Sequence, residues 1–371
     1  MSTTITENRT VKISEANKLI LRAFKKKRPV FLWGAPGIGK SELVEGIGEA
    51  GAMGKTKVID LRLALFEPTD LRGYPAPDMV TREMVWLPPA DLPSQALADQ
   101  YDTVILFLDE LNSAAPAVQA AAYQLILNRR IGQYYLPDNV VIIAAGNRET
   151  DKGVTYRMPK PLENRFVHFE LRVDFNDWMD WAVNNNVSPD VVGYLSFAKT
   201  DLYNFDPKSS SRGFATPRSW TFVSELLEDD GATLADSMQT DLVAGCVGEG
   251  TAVKFMAHRK VASVLPNPSD VLDGKVKTMK SDEMSAKYAL ATSLCYELRD
   301  RHVSGEKNKS LDKFHKSFSN FVGFMMDNFE TEMVIMASRI AMQNYKLVPK
   351  QDKIERFQEY FDRYGRLVLD A

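Results

Sequence analysis

The sequence predicts an α/β fold, a mostly parallel five-stranded sheet flanked by helices and followed by an all-helical remainder. Three observations carry this reading. The runs 103–108 and 140–145 are continuously apolar, as strands buried on both faces of a parallel sheet must be. A glycine-rich turn over 34–41 stands between an apolar run and a segment able to continue as a helix. Beyond residue 172 the apolar spacing becomes helical.

Taken in order, residues 1–13 read as a polar, flexible N-terminus. A helix over 14–24 has a serine at its cap and apolar residues at helical spacing, and the basic run 25–28 reads as its solvated end. The first strand, 30–33, leads into the glycine-rich turn, and a second spans 57–61. Residues 62–103 carry six prolines among scattered charges and read as a long insertion with a small hairpin around 79–87. The third strand runs from 103 to Asp109, a helix fills 114–129, and a turn or hairpin occupies 131–139. The fourth strand ends at Asn147, and 166–171 alternates enough to be an edge strand. Helices then open at 177, restart at Pro217, continue around 239–259 and fill 285–371 with breaks near 305–309 and Pro349. No internal repeat is evident.

With 371 residues, 44% hydrophobic and 26% charged, the chain has ample material for two or three domains. Its formal charge of −3 gives no general push toward nucleic acid or lipid. The two cysteines suggest neither a disulfide framework nor a zinc site, and the four histidines lack metal-ligand spacing. The N-terminus lacks the blocks of a signal peptide and no stretch is long and apolar enough to span a bilayer, so a cytoplasmic location without membrane contact is expected.

Gly34, Ala35, Pro36, Gly37, Ile38, Gly39, Lys40 and Ser41 fit the phosphate-loop pattern G-x-x-x-x-G-K-[ST]. The glycines let backbone N–H groups approach phosphate oxygens, Lys40 supplies a point charge, and the Ser41 hydroxyl is placed to ligate Mg²⁺. Asp109 ends a buried strand, where it would sit in the Mg²⁺ shell if that strand lies beside the phosphate-loop strand. Glu110 follows, placed to orient or deprotonate an attacking water. Two adjacent carboxylates after an apolar run are costly without a cation. Asn147 ends the next apolar strand at the same carboxyl edge, where ligands of open α/β sheets bind. ATP and Mg²⁺ are therefore the expected ligands.

In order and spacing, Gly34–Ser41, the run 106–112, the run 143–147, Glu163-Asn-Arg165-Phe166 and Thr216-Pro-Arg218-Ser219 resemble the motifs of an AAA+ ATPase, and within it the MoxR-like family. The stretch 67–73 resembles the insertion MoxR-like proteins carry. The likeness covers about residues 14–265 and is loose beyond. It implies a P-loop AAA+ core over 14–174, a helical lid over 175–280 and a helical C-terminal region over 281–371. Asn147 would be sensor 1 and Arg218 the sensor 2 arginine of the lid. Arg165 would be the arginine finger that reaches a neighbouring subunit's γ-phosphate, with Arg148 and Arg157 as competitors. Where relatives have Asp, this chain has Asn164. Tyr134 and Tyr135 are either pore residues or cross-strand packing.

The resemblance further implies a homo-oligomeric ring, most often a hexamer, that remodels a protein client, with a von Willebrand A-type protein as partner. The alternative is an AAA+ nucleic-acid motor or restriction-type translocase. The charge balance and the lack of a basic or helix-turn-helix module weigh against it. A non-hydrolysing switch is disfavoured by Glu110.

Overall fold

A computed structural model describes residues 9–151, 153, 155–228, 234–262, 265–279 and 281–369. The chain forms two compact units, Met1–Asp174 and Phe175–Ala371.

In the first unit the elements follow as β1 (Thr10–Val11), α1 (Ile13–Phe24), β2 (Val30–Trp33), α2 (Lys40–Glu49), β3 (Thr56–Arg62), α3 (Pro68–Arg72), β4 (Tyr74–Pro77) and β5 (Met84–Leu87). Then come α4 (Gln95–Ala98), β6 (Thr103–Asp109), α5 (Pro116–Asn128), β7 (Arg130–Ile131), β8 (Tyr134–Tyr135), β9 (Val140–Gly146), α6 (Lys160–Glu163) and β10 (Val167–Leu171). The main sheet is parallel throughout, in the order β1-β10-β2-β9-β6-β3. Interior β6 and β9 are buried almost end to end, because helices cover both faces. Helix α1 buries Ala16, Ile20 and Phe24, one every four residues, and α2 buries Leu43, Val44 and Ile47. Pro116 opens α5 at a position where a missing N–H costs nothing.

Four expectations need correction. The sheet has six strands rather than five. The sixth is Thr10–Val11, inside the stretch read as a flexible N-terminus; two residues are too few to leave a periodic signal, yet they pair with Glu170 and Leu171. Residues 1–8 of that stretch lie outside the described residues. Strand β10 is interior, because β1 covers its outer side, and the true edges are β1 and β3. The insertion hairpin is offset from 79–87, with Tyr74 opposite Leu87 and Pro77 opposite Met84.

The second unit is helical: α7 (Phe175–Asn184), α8 (Pro189–Phe197), α9 (Pro217–Leu226), α10 (Asp236–Val247), α11 (Glu249–Ala262), α12 (Pro268–Leu272), α13 (Met284–Lys307), α14 (Asp312–Asn328) and α15 (Thr331–Arg339). The single helical stretch read around 239–259 is two helices, because Gly248 takes a positive φ of 86° that ends α10. Helix α13 packs against α8 and α11 on one side and α12, α14 and α15 on another. The segments 175–280 and 281–371 therefore share a core inside one unit. Arg301 pins three helices: its guanidinium, 7% exposed at the side chain, donates to Glu297, Asp273, Ser317 and Ser269. Among the described residues no helix is long and apolar enough to cross a membrane.

His258 on α11 is 4% exposed, and its Nδ1 lies 2.6 Å from Ser285 Oγ on α13. Burial pushes its pKa down from 6.5 to about 4, against a smaller opposing pull from Asp190. As pH falls through 6.5 the unfolded chain takes up a proton that the folded unit refuses until about 4. Stability present above pH 6.5 is thus lost progressively over that window, by on the order of 3 kcal/mol at complete protonation. Urea unfolding of the wild type should weaken from pH 7 to pH 5, and His258→Gln should flatten that part of the dependence. An unchanged slope in the variant removes His258 as its cause.

Candidate functional site

The phosphate-loop residues lie where β2 hands over to α2. Gly37 and Gly39 have φ of 75° and 94°, in the region that side chains rarely adopt. Gly39 is the left-handed N-cap of α2, and the first intrahelical bond runs from Leu43 N to Gly39 O. The N–H groups of Lys40, Ser41 and Glu42 thus have no acceptor within the helix, which is the anion-binding arrangement of a helix N-terminus. Lys40 Nζ donates to Gly34 O at 2.7 Å, Ala35 O at 2.9 Å and Asn147 Oδ1 at 3.2 Å. Ala35 and Ile38 are buried beneath the loop, Pro36 is half-buried, and Ser41 is half-buried on the first turn.

Asp109 ends β6 and Glu110 follows it. The strand does not lie beside β2 as the sequence argument required, because β9 runs between them. The phosphate loop and Asp109 are therefore about two strand spacings, roughly 10 Å, apart across the sheet edge. Asn147 occupies the middle of that edge and touches Lys40. Asp109 is 9% exposed, and its Oδ1 accepts from Glu110 N at 2.8 Å. Glu110 itself stands at φ 55°, a left-handed conformation that costs a non-glycine residue on the order of 1 kcal/mol. That turn swings its side chain off the strand direction.

Register and packing supply two residues that sequence reasoning passed over. Arg62 is opposite Asp109, so alternation puts Asp60 on the same face. Burial first, then the charges of Asp109, Glu45 and Glu110, raise the Asp60 pKa, against a lowering pull from Arg62. The excess of carboxylates favours a bound cation. The second residue is Asn112, only 2% exposed, whose Nδ2 donates to the Asn147 carbonyl at 2.7 Å. Its own carbonyl accepts from Tyr156 N at 2.7 Å. Gly146 is required here, since a Cβ would fall 2.1 Å from Asn112 Oδ1.

This edge fits a nucleotide with its metal: the helix N-terminus and Lys40 for phosphates, and the Ser41 hydroxyl and the acidic end of β6 for Mg²⁺. No group of three or more His, Cys, Asp or Glu among the described residues forms a metal cage. Mg²⁺ asks for only one or two carboxylates beside phosphate oxygens and water.

The arginines divide. Arg148 is held by Asp151, with contacts from 3.0 Å, and by Glu170 at 3.3 Å. Arg165 and Arg157 are exposed and make no side-chain hydrogen bond or ion pair among the described residues. Arg218 belongs to the second unit, at the second position of α9, after a reciprocal cap between Thr216 and Ser219. It too is exposed. Tyr134 packs inward, with its hydroxyl donating to Pro93 O at 2.7 Å, while Tyr135 is 65% exposed under the Arg130 guanidinium.

Residues 29–166 match the family model of the AAA domain, dynein-related subfamily. Over 174 residues, 45% of this chain, the sequence is 29% identical to midasin of Giardia intestinalis, and the match spans 3% of that protein's length. Similar solved structures include NtrX from Brucella abortus, 13% identical with a TM-score of 0.39, covering 91% of this chain and 69% of that one. A RuvB mutant from Thermotoga maritima is 18% identical with a TM-score of 0.35, covering 76% and 80%. The first unit thus carries an AAA-type core over residues 29–166.

Because Asn112 fixes the peptide that carries Asn147, Asn112→Asp sets a carboxylate against the Asn147 carbonyl. ATP turnover should fall on the order of tenfold or more, the scale of a buried hydrogen bond turned repulsive. Nucleotide affinity should stay within a few-fold. Wild-type turnover in this variant would show that the strand end holds Asn147 without it.

Proposed function

We propose that this protein is a ring-forming, MoxR-like AAA+ ATPase that uses Mg²⁺-dependent ATP hydrolysis to remodel or activate a protein client. The observation that supports it most is the convergence of Lys40, Asn147, Asp109 and Glu110 on one sheet edge. In this reading the loop from Gly34 to Ser41 binds the phosphates, and Ser41 and Asp109 would hold Mg²⁺, which would supply charge neutralisation. Glu110 accepts the proton of the attacking water, and Asn147 orients that water or a phosphate oxygen. Arg218 reaches the nucleotide of its own subunit from a lid formed by the helices after residue 174.

Arg165 acts in trans, in a ring most simply read as a hexamer. Its lack of a side-chain partner among the described residues suits a side chain meant for a neighbouring subunit, and a finger of this kind is worth ~10³–10⁵ in rate. Asn164 leaves it without the flanking carboxylate of its relatives. The engagement of Arg148 with Asp151 and Glu170 counts against that residue in the role.

A client-contacting surface is available on the β4–β5 hairpin. Met79 and Val80 at its tip are 85% and 91% exposed, and Tyr74, Met84 and Leu87 are more than half exposed. Asp78 caps the tip by accepting from Val80 N and Thr81 N, so the apolar pair is presented on an ordered turn. A partner with a von Willebrand A-type domain remains part of the proposal through the MoxR resemblance.

Glu110→Gln should bind ATP normally and hydrolyse it about 10²–10⁴ times more slowly, the usual worth of a general base. Affinity capture with that ATP-locked variant identifies the client. Specific activity of the wild type should rise with protein concentration, since each site needs a neighbour's arginine. A flat profile through the range where the assembly dissociates argues against trans action. Stimulation by DNA that collapses with added salt would move the protein to the nucleic-acid motors.

A further inference from the structure

Trp33, the last residue of β2, precedes the phosphate loop directly and lies on a ring cluster with Phe31, Phe166 and His168. Phe31 stacks on Trp33 at 4.2 Å between centroids, Phe166 meets Phe31 edge-on at 5.3 Å, and His168 stacks against Trp33 at 6.0 Å. A polar chain runs through the same rings. Trp33 Nε1 donates to His168 Nδ1 at 2.9 Å. An indole can only donate, so Nδ1 is the unprotonated nitrogen, and Nε2–H donates to Glu163 O at 2.7 Å. The same carbonyl accepts from Phe166 N at 3.2 Å, closing the turn Glu163–Phe166 in which Arg165 stands third.

The turn that carries Arg165 is therefore held twice from the strand that feeds the phosphate loop, once by His168 on Glu163 O and once by the Phe166 ring, which is buried against Phe31. At its other end the strand is tied to Lys40, because Gly34 O, one residue past Trp33, accepts from Lys40 Nζ.

We propose that Trp33 and His168 are positioning residues for Arg165, linking the phosphate-loop strand of each subunit to the arginine it offers its neighbour. The inference rests on the reading of Arg165 as a finger acting in trans. A phosphate loop that shifts on the ammonium of Lys40 moves Gly34 and Trp33, and through His168 the closure of the finger turn. State would then pass from one subunit's site to the next through this chain, without a rearrangement of the sheet.

The test uses the full chain in mixed assemblies. Glu110→Gln subunits offer a finger but no working site, and Arg165→Ala subunits offer a site but no finger. Each alone should be nearly inactive, and the mixture should recover turnover. Trp33→Phe, which keeps the stacked ring and deletes the donor, is then placed in one partner at a time. In the Glu110→Gln subunit it should lower turnover of the mixture about three- to tenfold at unchanged KM for ATP, the scale of one lost hydrogen bond. In the Arg165→Ala subunit it should change turnover by less than about twofold. His168→Gln, an exposed substitution with little risk to folding, should act from the same subunit, and the double variant should be no worse than either single one. Equal losses from both partners, or none from either, would overturn the link while leaving the trans finger standing. A mixture that never recovers activity removes the trans reading, and the link with it.

Discussion

The site is organised by the need to satisfy one ammonium group. Lys40 Nζ is surrounded by Gly34 O, Ala35 O and Asn147 Oδ1, and those contacts fix how loop, helix and central strand meet. The loop must curl back over its own lysine, which demands the positive φ of Gly37 and Gly39. Strand β9 must end level with the loop, which needs a glycine at 146 and Asn112 underneath. A partly buried ammonium is poised to exchange neutral carbonyls for anionic phosphate oxygens, which add the attraction of opposite charges to the hydrogen bond.

Much of this was legible in the sequence, for identifiable reasons. The runs 103–109 and 140–146 could be nothing but interior strands, and the residues that end them therefore had to share an edge. The phosphate loop was legible because glycine spacing is a direct imprint of backbone conformation. What escaped depends on register. Asp60 is an ordinary strand residue until the pairing of Arg62 with Asp109 sets it among the acids. Asn112 was visible as part of a motif, but its hold on the Asn147 carbonyl belongs to a contact between positions 35 residues apart. Strand β1 escaped because two residues make no pattern, and its absence from the reading made β10 look like an edge.

The helical unit shows a different limit. Several of its helices were readable one by one, but α8, the break at Gly248 and the partition of the unit were not. Helix α13 is buried on nearly every side, including Ser285, Lys287, Thr292 and Arg301, so its sequence lacks the apolar stripe that tells an outer helix from a central one. Polar positions there are satisfied locally. Lys287 pairs with Glu330, and Thr292 returns its hydroxyl to the carbonyls of Tyr288 and Ala289. Such groups read as surface in a sequence and turn out to be mortar between helices.

The β4–β5 hairpin sets out bulky apolar side chains on an isolated two-stranded ribbon, an arrangement that invites edge-to-edge growth into larger sheets. Strand β4 contains Pro75 and Pro77, opposite Trp86 and Met84. Neither has an N–H to give, so along that border a foreign strand finds two of its acceptors unanswered. The ribbon can grip through its side chains while refusing to be extended through its backbone. Its stickiness and its capacity to polymerise have thus been put on different atoms.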